Sequence, residues 1–260
     1  MEISRYLECL DADYARFREV VVLDQQARVP TCPDWDVADL TSHLAHVYLH
    51  KVACIRDGEA PDPWPAPGLD EVPVLELLER GFAELRDQLT SHRPEDFAAS
   101  WYTPDQTVGF WYRRMAQETV VHRIDAELAT GQPVFPVPDD LAADGVDELL
   151  AGFVPFGLAH WPDYFGDVLD SSPGHRTVVR AGDAAWTVAT GPGRFDVTPG
   201  VDGTVDDGTG PADLVVAGAP EDMLRWLWSR ESPGTPSTVE IVGSPAALDE
   251  LRGCLQKSTD

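Results

Sequence analysis

Glu118 and His122 stand four residues apart in a helical stripe that is otherwise largely apolar, so a carboxylate and an imidazole can reach one ion from one helix. Steps of four and three through residues 106–130 put Trp111, Met115, Glu118, His122, Asp125 and Ala129 on a single face. The stripe starts apolar and turns polar. Burying a carboxylate and an imidazole is costly unless something pairs with them, and a metal ion satisfies both at once. The spacing alone leaves two other readings open: the face turns toward solvent, or the two side chains bond each other.

A second segment supplies what the first lacks. From Asp36, the expected N-cap with Asp39 three residues on, a helix is predicted to about Cys54, its inward side marked by Val37, Leu40, Leu44 and Val47. His43 lies on the edge of that side, with His46 and His50 progressively nearer the flank. His43 opposite Glu118 and His122 makes a three-ligand site with an open position, as expected of a catalytic metal rather than a structural one. Two imidazoles and a carboxylate suit zinc, with iron, nickel and cobalt also compatible. A rival site of His43, His46 and His50 suffers from geometry, since one helix cannot easily wrap a tetrahedral ion.

The string Pro33, Trp35, Leu40, His43, Leu44 resembles the PxWxxxxLxxHL signature of the mycothiol-dependent maleylpyruvate isomerase family. Residues Val108-Gly109-Phe110-Trp111, Arg113-Arg114-Met115-Ala116, Glu118, His122, Asp125 and Ala126 resemble its second metal helix. The resemblance implies a DinB-like metal-binding bundle in which His43, Glu118 and His122 hold the metal, with mycothiol as the thiol. Gln117 stands where many relatives place another histidine, a departure bearing on the surroundings of the metal rather than on its ligands.

The stripes that must position these residues are helical through the first half. A first helix is expected from Glu2 to Gln26, a third is marked by Leu75, Leu78, Phe82, Leu85 and Leu89, and Thr130-Gly131 with Pro133 ends the fourth. Residues 1–135 are therefore expected to form a four-helix bundle, and 136–160 a connecting helix. Residues 161–260 alternate short extended runs (Thr177 to Val179, Trp186 to Ala189, Phe195 to Thr198, Leu214 to Val216, Val239 to Val242) with helices at Pro220 to about Arg230 and Pro245 to about Leu255. The fold class expected is α+β in two domains, the second with a small sheet. This half resembles the family's C-terminal domain through Val216-Ala217-Gly218 and the Trp-Leu-x-x-Arg pattern of Trp226 to Arg230.

With 19 basic against 45 acidic side chains the formal charge is -26, which argues against nucleic acid or an anionic membrane as partner. The four cysteines show no CxxC pair and read as free thiols in a reducing cytosol. No signal peptide or membrane-spanning run is indicated, so a cytoplasmic location is expected. The acidic loop Asp202 to Gly208 hints at calcium but lacks the closing glutamate and reads as a solvated turn.

The leading expectation is a metalloenzyme that activates a low-molecular-weight thiol for isomerisation of, or transfer to, a small electrophile. Arg230 is the candidate anion clamp, since a guanidinium matches a carboxylate bidentately. The alternative for Arg230 is a surface arginine at a helix C-terminus. The competing function classes are a non-catalytic metal- or thiol-binding module and a metal-dependent hydrolase.

Overall fold

A computed structural model describes residues 1–200 and 211–259; the acidic loop Asp202 to Gly208 lies outside the described residues. The chain divides into two compact units, Met1–Phe135 and Pro136–Asp260. The first consists of four long helices, α1 (Ile3–Val21), α2 (Val37–Arg56), α3 (Val74–Ser91) and α4 (Val108–Ala129), with a single 3-10 turn at Leu69–Glu71. Leu10, Phe17 and Val21 on α1 and Leu78, Leu85 and Leu89 on α3 recur at helical spacing and are buried. α1 pairs with α4 and α2 with α3, while α2 also meets α4. Gly81 permits the close α2–α3 approach, because a Cβ there would lie 3.0 Å from the Ala45 carbonyl oxygen.

α2 opens with the expected cap. Asp36 accepts from the Asp39 amide and Asp39 accepts from the Asp36 amide, both at 3.0 Å, satisfying two of the amides that a helix start leaves without partners. α1 stops at Val21 instead of continuing to Gln26. The chain beyond it is bound instead to the start of α2: Val29 N donates to Trp35 O, Val37 N to Ala27 O and Ala38 N to Gln25 O. These bonds compete with helix continuation and fold residues 25–37 into a tight loop carrying Thr31 and Trp35.

α4 is buried almost all round, so its polar residues need partners inside the bundle. Arg123, fully buried, donates from Nε to Asp13 on α1 at 2.9 Å, and from Nη1 to Glu127 at 2.7 Å and to the Phe135 carbonyl at 2.6 Å. Glu127 accepts in turn from Arg16 on α1 at 2.7 Å.

In the second unit, α5 (Asp139–Asp147), a π-helical stretch (Glu148–Phe153) and α6 (Val154–His160) run consecutively, followed by the short α7 (Pro162–Phe165) ahead of the first expected extended run. The five expected extended runs form five strands: β1 (Arg176–Ala181), β2 (Ala184–Gly191), β3 (Arg194–Pro199), β4 (Leu214–Gly218) and β5 (Glu240–Gly243). Their order is β3-β2-β1-β4-β5, with β1 and β4 parallel and the other neighbours antiparallel. α8 (Pro220–Leu227) follows β4, and α9 (Pro245–Thr259) follows β5. α8 ends three residues before Arg230, because Ser229 takes a left-handed backbone (φ 57°) that a helix cannot continue. Asp147 accepts from the Trp186 indole at 2.9 Å, tying α5 to the sheet. The four cysteines form no disulfide with one another, and no helix among the described residues is long and apolar enough to cross a membrane.

Replacing Arg123 by Met keeps most of its volume but leaves Asp13 without its buried counter-charge and Glu127 with Arg16 alone. Urea denaturation of the full chain should show a loss of roughly 3–5 kcal/mol, the usual cost of breaking a buried ion pair from one side. A loss below 1 kcal/mol would mean that the carboxylates are neutralised by other means.

Candidate metal centre

The first unit brings together the three residues that the spacing singled out. α2 lies against α4, held in register by a 2.7 Å hydrogen bond between Tyr48 Oη and Thr119 Oγ1, and His43 faces Glu118 and His122. Nε2 of His43 and Nε2 of His122 each lie 3.3 Å from the same oxygen, Glu118 Oε1. Ligand atoms at about 2.0–2.1 Å from a zinc ion in tetrahedral geometry sit about 3.3 Å apart, so these separations match the edges of such a site. All three ligand atoms lie within 4.8 Å of one another.

The surrounding hydrogen bonds decide which atoms face inward. Asp125, fully buried one turn along α4, accepts from His122 Nδ1 at 3.0 Å, and its other oxygen accepts from the Thr31 hydroxyl at 2.5 Å. With its proton held on Nδ1, a neutral His122 presents a lone pair at Nε2 toward the Glu118 oxygen. Two lone pairs facing each other need a cation between them, a proton or a metal. Arg114, on the turn before Glu118, donates to Oε2 at 2.6 Å and leaves Oε1 to the imidazoles. Trp35 closes one side, its ring centroid 4.9 Å from that of His43 and 6.5 Å from that of His122.

The charges follow this layout. Burial works against an ionised Glu118, but the Arg114 charge and the hydrogen bonds with His122 and His43 outweigh it and hold the carboxyl well below the usual range. Burial pulls His122 down as well; the hydrogen bonds to Asp125 and Glu118, with the charges of both carboxylates, overcome it and lift the ring to about 9. The site thus attracts positive charge, and the donor set of two imidazoles and one carboxylate fits a divalent ion.

His46 and His50 do not join it. His46 Nδ1 donates to the Ser42 carbonyl at 2.7 Å, and both rings meet Trp64 edge to face. Burial, then the Lys51 charge, push His50 down to about 4. Gln117 is fully buried on α4. Arg230 belongs to the second unit, in the turn beyond α8; it is buried rather than at the surface, with Nη1 donating to the Trp228 carbonyl at 2.6 Å. Thr31, Trp35, Arg114 and Asp125 take roles at the site that the spacing of the candidate ligands does not announce. Asp125 and Arg114 were within reach of helical arithmetic, three residues after His122 and four before Glu118, whereas nothing in the spacing points from Thr31 to Asp125.

The family model described as the mycothiol maleylpyruvate isomerase N-terminal domain matches residues 7–127, and that of the corresponding C-terminal domain matches residues 140–250. The chain belongs to the mycothiol-dependent maleylpyruvate isomerase family. Two solved structures resemble it over 92% of this chain and 96% of theirs at 12% identity: a mycothiol-dependent maleylpyruvate isomerase (TM-score 0.57) and a histidine-to-alanine mutant of that enzyme (TM-score 0.60). The comparison with curated proteins found no match. The isomerase-family N-terminal match contains all three candidate ligands and the Thr31 and Trp35 loop.

Elemental analysis should find about one divalent ion per chain, as for a single three-ligand site. His43→Ala, Glu118→Ala and His122→Ala should each lose most of it, while His46→Ala and His50→Ala keep it. Asp125→Ala should weaken metal affinity by roughly 10–100-fold, the usual effect of removing the partner of a ligating histidine. Full metal in the Glu118→Ala protein would remove Glu118 from the set.

Proposed function

We propose that this chain is a mycothiol-dependent isomerase of a small conjugated electrophile, with a divalent ion, zinc by its ligand chemistry, held by His43, Glu118 and His122. The observation that carries the reading is the open three-ligand set inside a bundle that the family model spans. Held by His43, Glu118 and His122, a divalent ion would supply the Lewis acidity that makes a thiol more acidic, the chemistry that reversible thiolate addition, rotation and elimination at a double bond would require.

The chain's own residues prepare that chemistry. Asp125, braced by Thr31, keeps the proton on Nδ1 of His122 and so keeps Nε2 available as a ligand. Arg114 holds one oxygen of Glu118 and directs the other inward. Trp35 shields the two imidazoles on one side and limits water there. In the second unit, Arg230 is our candidate for the substrate carboxylate, because a guanidinium matches a carboxylate in charge and shape; the side chain is buried and donates from Nη1 to the Trp228 carbonyl.

Cobalt-substituted protein should acquire thiolate charge-transfer bands on adding mycothiol. Unchanged spectra, with turnover independent of thiol, would favour metal-assisted hydrolysis instead. With α,β-unsaturated acids as substrates, retention of the thiol identifies an isomerase, and a stable adduct identifies a transferase.

Arg230→Ala and Arg230→Lys should both keep metal and the thiolate bands yet lose turnover of an anionic electrophile by on the order of a hundredfold, as for a charge-assisted contact worth roughly 2–3 kcal/mol. Activity within a fewfold of the parent in the Lys variant would remove the clamp role.

A further inference from the structure

Lys51 is a half-buried ammonium on α2, on the side of that helix that meets α4. Its Nζ lies 5.0 Å from the centroid of the buried Trp111 ring and 3.3 Å from His50 Nδ1, both neutral partners. Among the described residues no carboxylate forms an ion pair with it. Glu118 does act on it through its charge, but Glu118 is already engaged by Arg114 and by two imidazoles. Burial pushes the Lys51 ammonium down from its usual range, as expected of a cation deprived of water without full compensation.

The position matters as much as the charge. Trp111 precedes Glu118 by seven residues on the same face of α4, about 10 Å along the axis. Arg114 stands between them, so the interior stripe runs from the candidate metal ligands through one guanidinium to the ammonium over Trp111. A cation held against an aromatic face, with no carboxylate of its own, would gain a charge-assisted contact from an anion supplied from outside the chain.

We propose that Lys51 is an anion subsite that receives a carboxylate of a small organic acid and sets a preference for anionic over neutral electrophiles. Its role toward a substrate rests on the thiol-dependent reading above, but the subsite itself does not. The probe is succinate, an unreactive dicarboxylate, titrated calorimetrically into metal-loaded protein, with dimethyl succinate as the uncharged control. Lys51→Met, which keeps the apolar stem over Trp111, should weaken succinate binding roughly tenfold or more, and Lys51→Arg should restore most of it. Dimethyl succinate should bind the parent and Lys51→Met alike. Equal succinate affinity in parent and Lys51→Met, or no succinate binding by the parent, would overturn the subsite. Thermal melts and metal content verify that each variant is folded and loaded; if Lys51→Met fails either check, Lys51→Gln replaces it. Cobalt protein without thiolate bands, but with Lys51-dependent succinate binding, would instead overturn the thiol reading and leave the subsite standing.

Discussion

The hydrogen bond between His122 Nδ1 and Asp125 determines what the centre can be. It selects the nitrogen that faces Glu118 and His43, and it strengthens that nitrogen as a donor to a cation. With Nδ1 committed, the lone pair on Nε2 confronts a carboxylate oxygen, an arrangement that is repulsive unless positive charge enters between them. A proton answers that demand: against the pull of burial, the hydrogen bonds to Asp125 and Glu118, with the charges of both carboxylates, lift the ring pKa to about 9. A divalent ion would answer it with a greater charge and could also engage His43. The same geometry therefore accounts for the ring's avidity for protons and for its suitability as a ligand.

That bond acts only if α4 keeps its rotation about its own axis. Apolar packing fixes rotation loosely, since many side chains can slide into neighbouring grooves, whereas directional bonds to buried groups do not slide. Arg123 follows His122 directly, so its side chain leaves the helix about 100° further round, and it is bonded to Asp13, Glu127 and the Phe135 carbonyl. Tyr48 to Thr119 adds a third fixed point, toward α2. Turning α4 by a fraction of a residue would break bonds on several sides together. The ionic cluster around Arg123, remote in chemistry from the candidate ligands, thus holds Glu118 and His122 in their orientation.

How far the site could be read from sequence follows from the range of each interaction. Glu118, His122 and Asp125 lie on one helix, where the 3.6-residue period translates spacing into geometry, and the capping pair Asp36 and Asp39 announces the helix that carries His43. The five extended runs were visible from their alternation and the turn residues between them. Thr31 was not visible: it meets Asp125 across 94 residues, from a loop whose course depends on backbone bonds to α2. Those same bonds cut α1 short of Gln26, although its apolar spacing would have let it continue. Lys51 was overlooked for a related reason, since its meaning lies in the Trp111 ring beneath it and in a missing carboxylate, neither of which a helical wheel displays.

The net acidic charge of the chain and the inward cations Arg114 and Lys51 act on an anion in opposite directions. A net charge of -26 lowers the local concentration of any anion near the protein, an effect that weakens with ionic strength. An enzyme acting on organic acids must therefore recover by short-range contacts what it loses at long range. Charges close to water recover little, because solvent screens them, whereas Arg114 at 4% exposure and the half-buried Lys51 act where the dielectric is lower. Arg114 is already bonded to Glu118, so its charge is largely offset. The ammonium over Trp111 has no such commitment to a carboxylate, and in this unit it is the cation best placed to convert a repelled anion into a bound one.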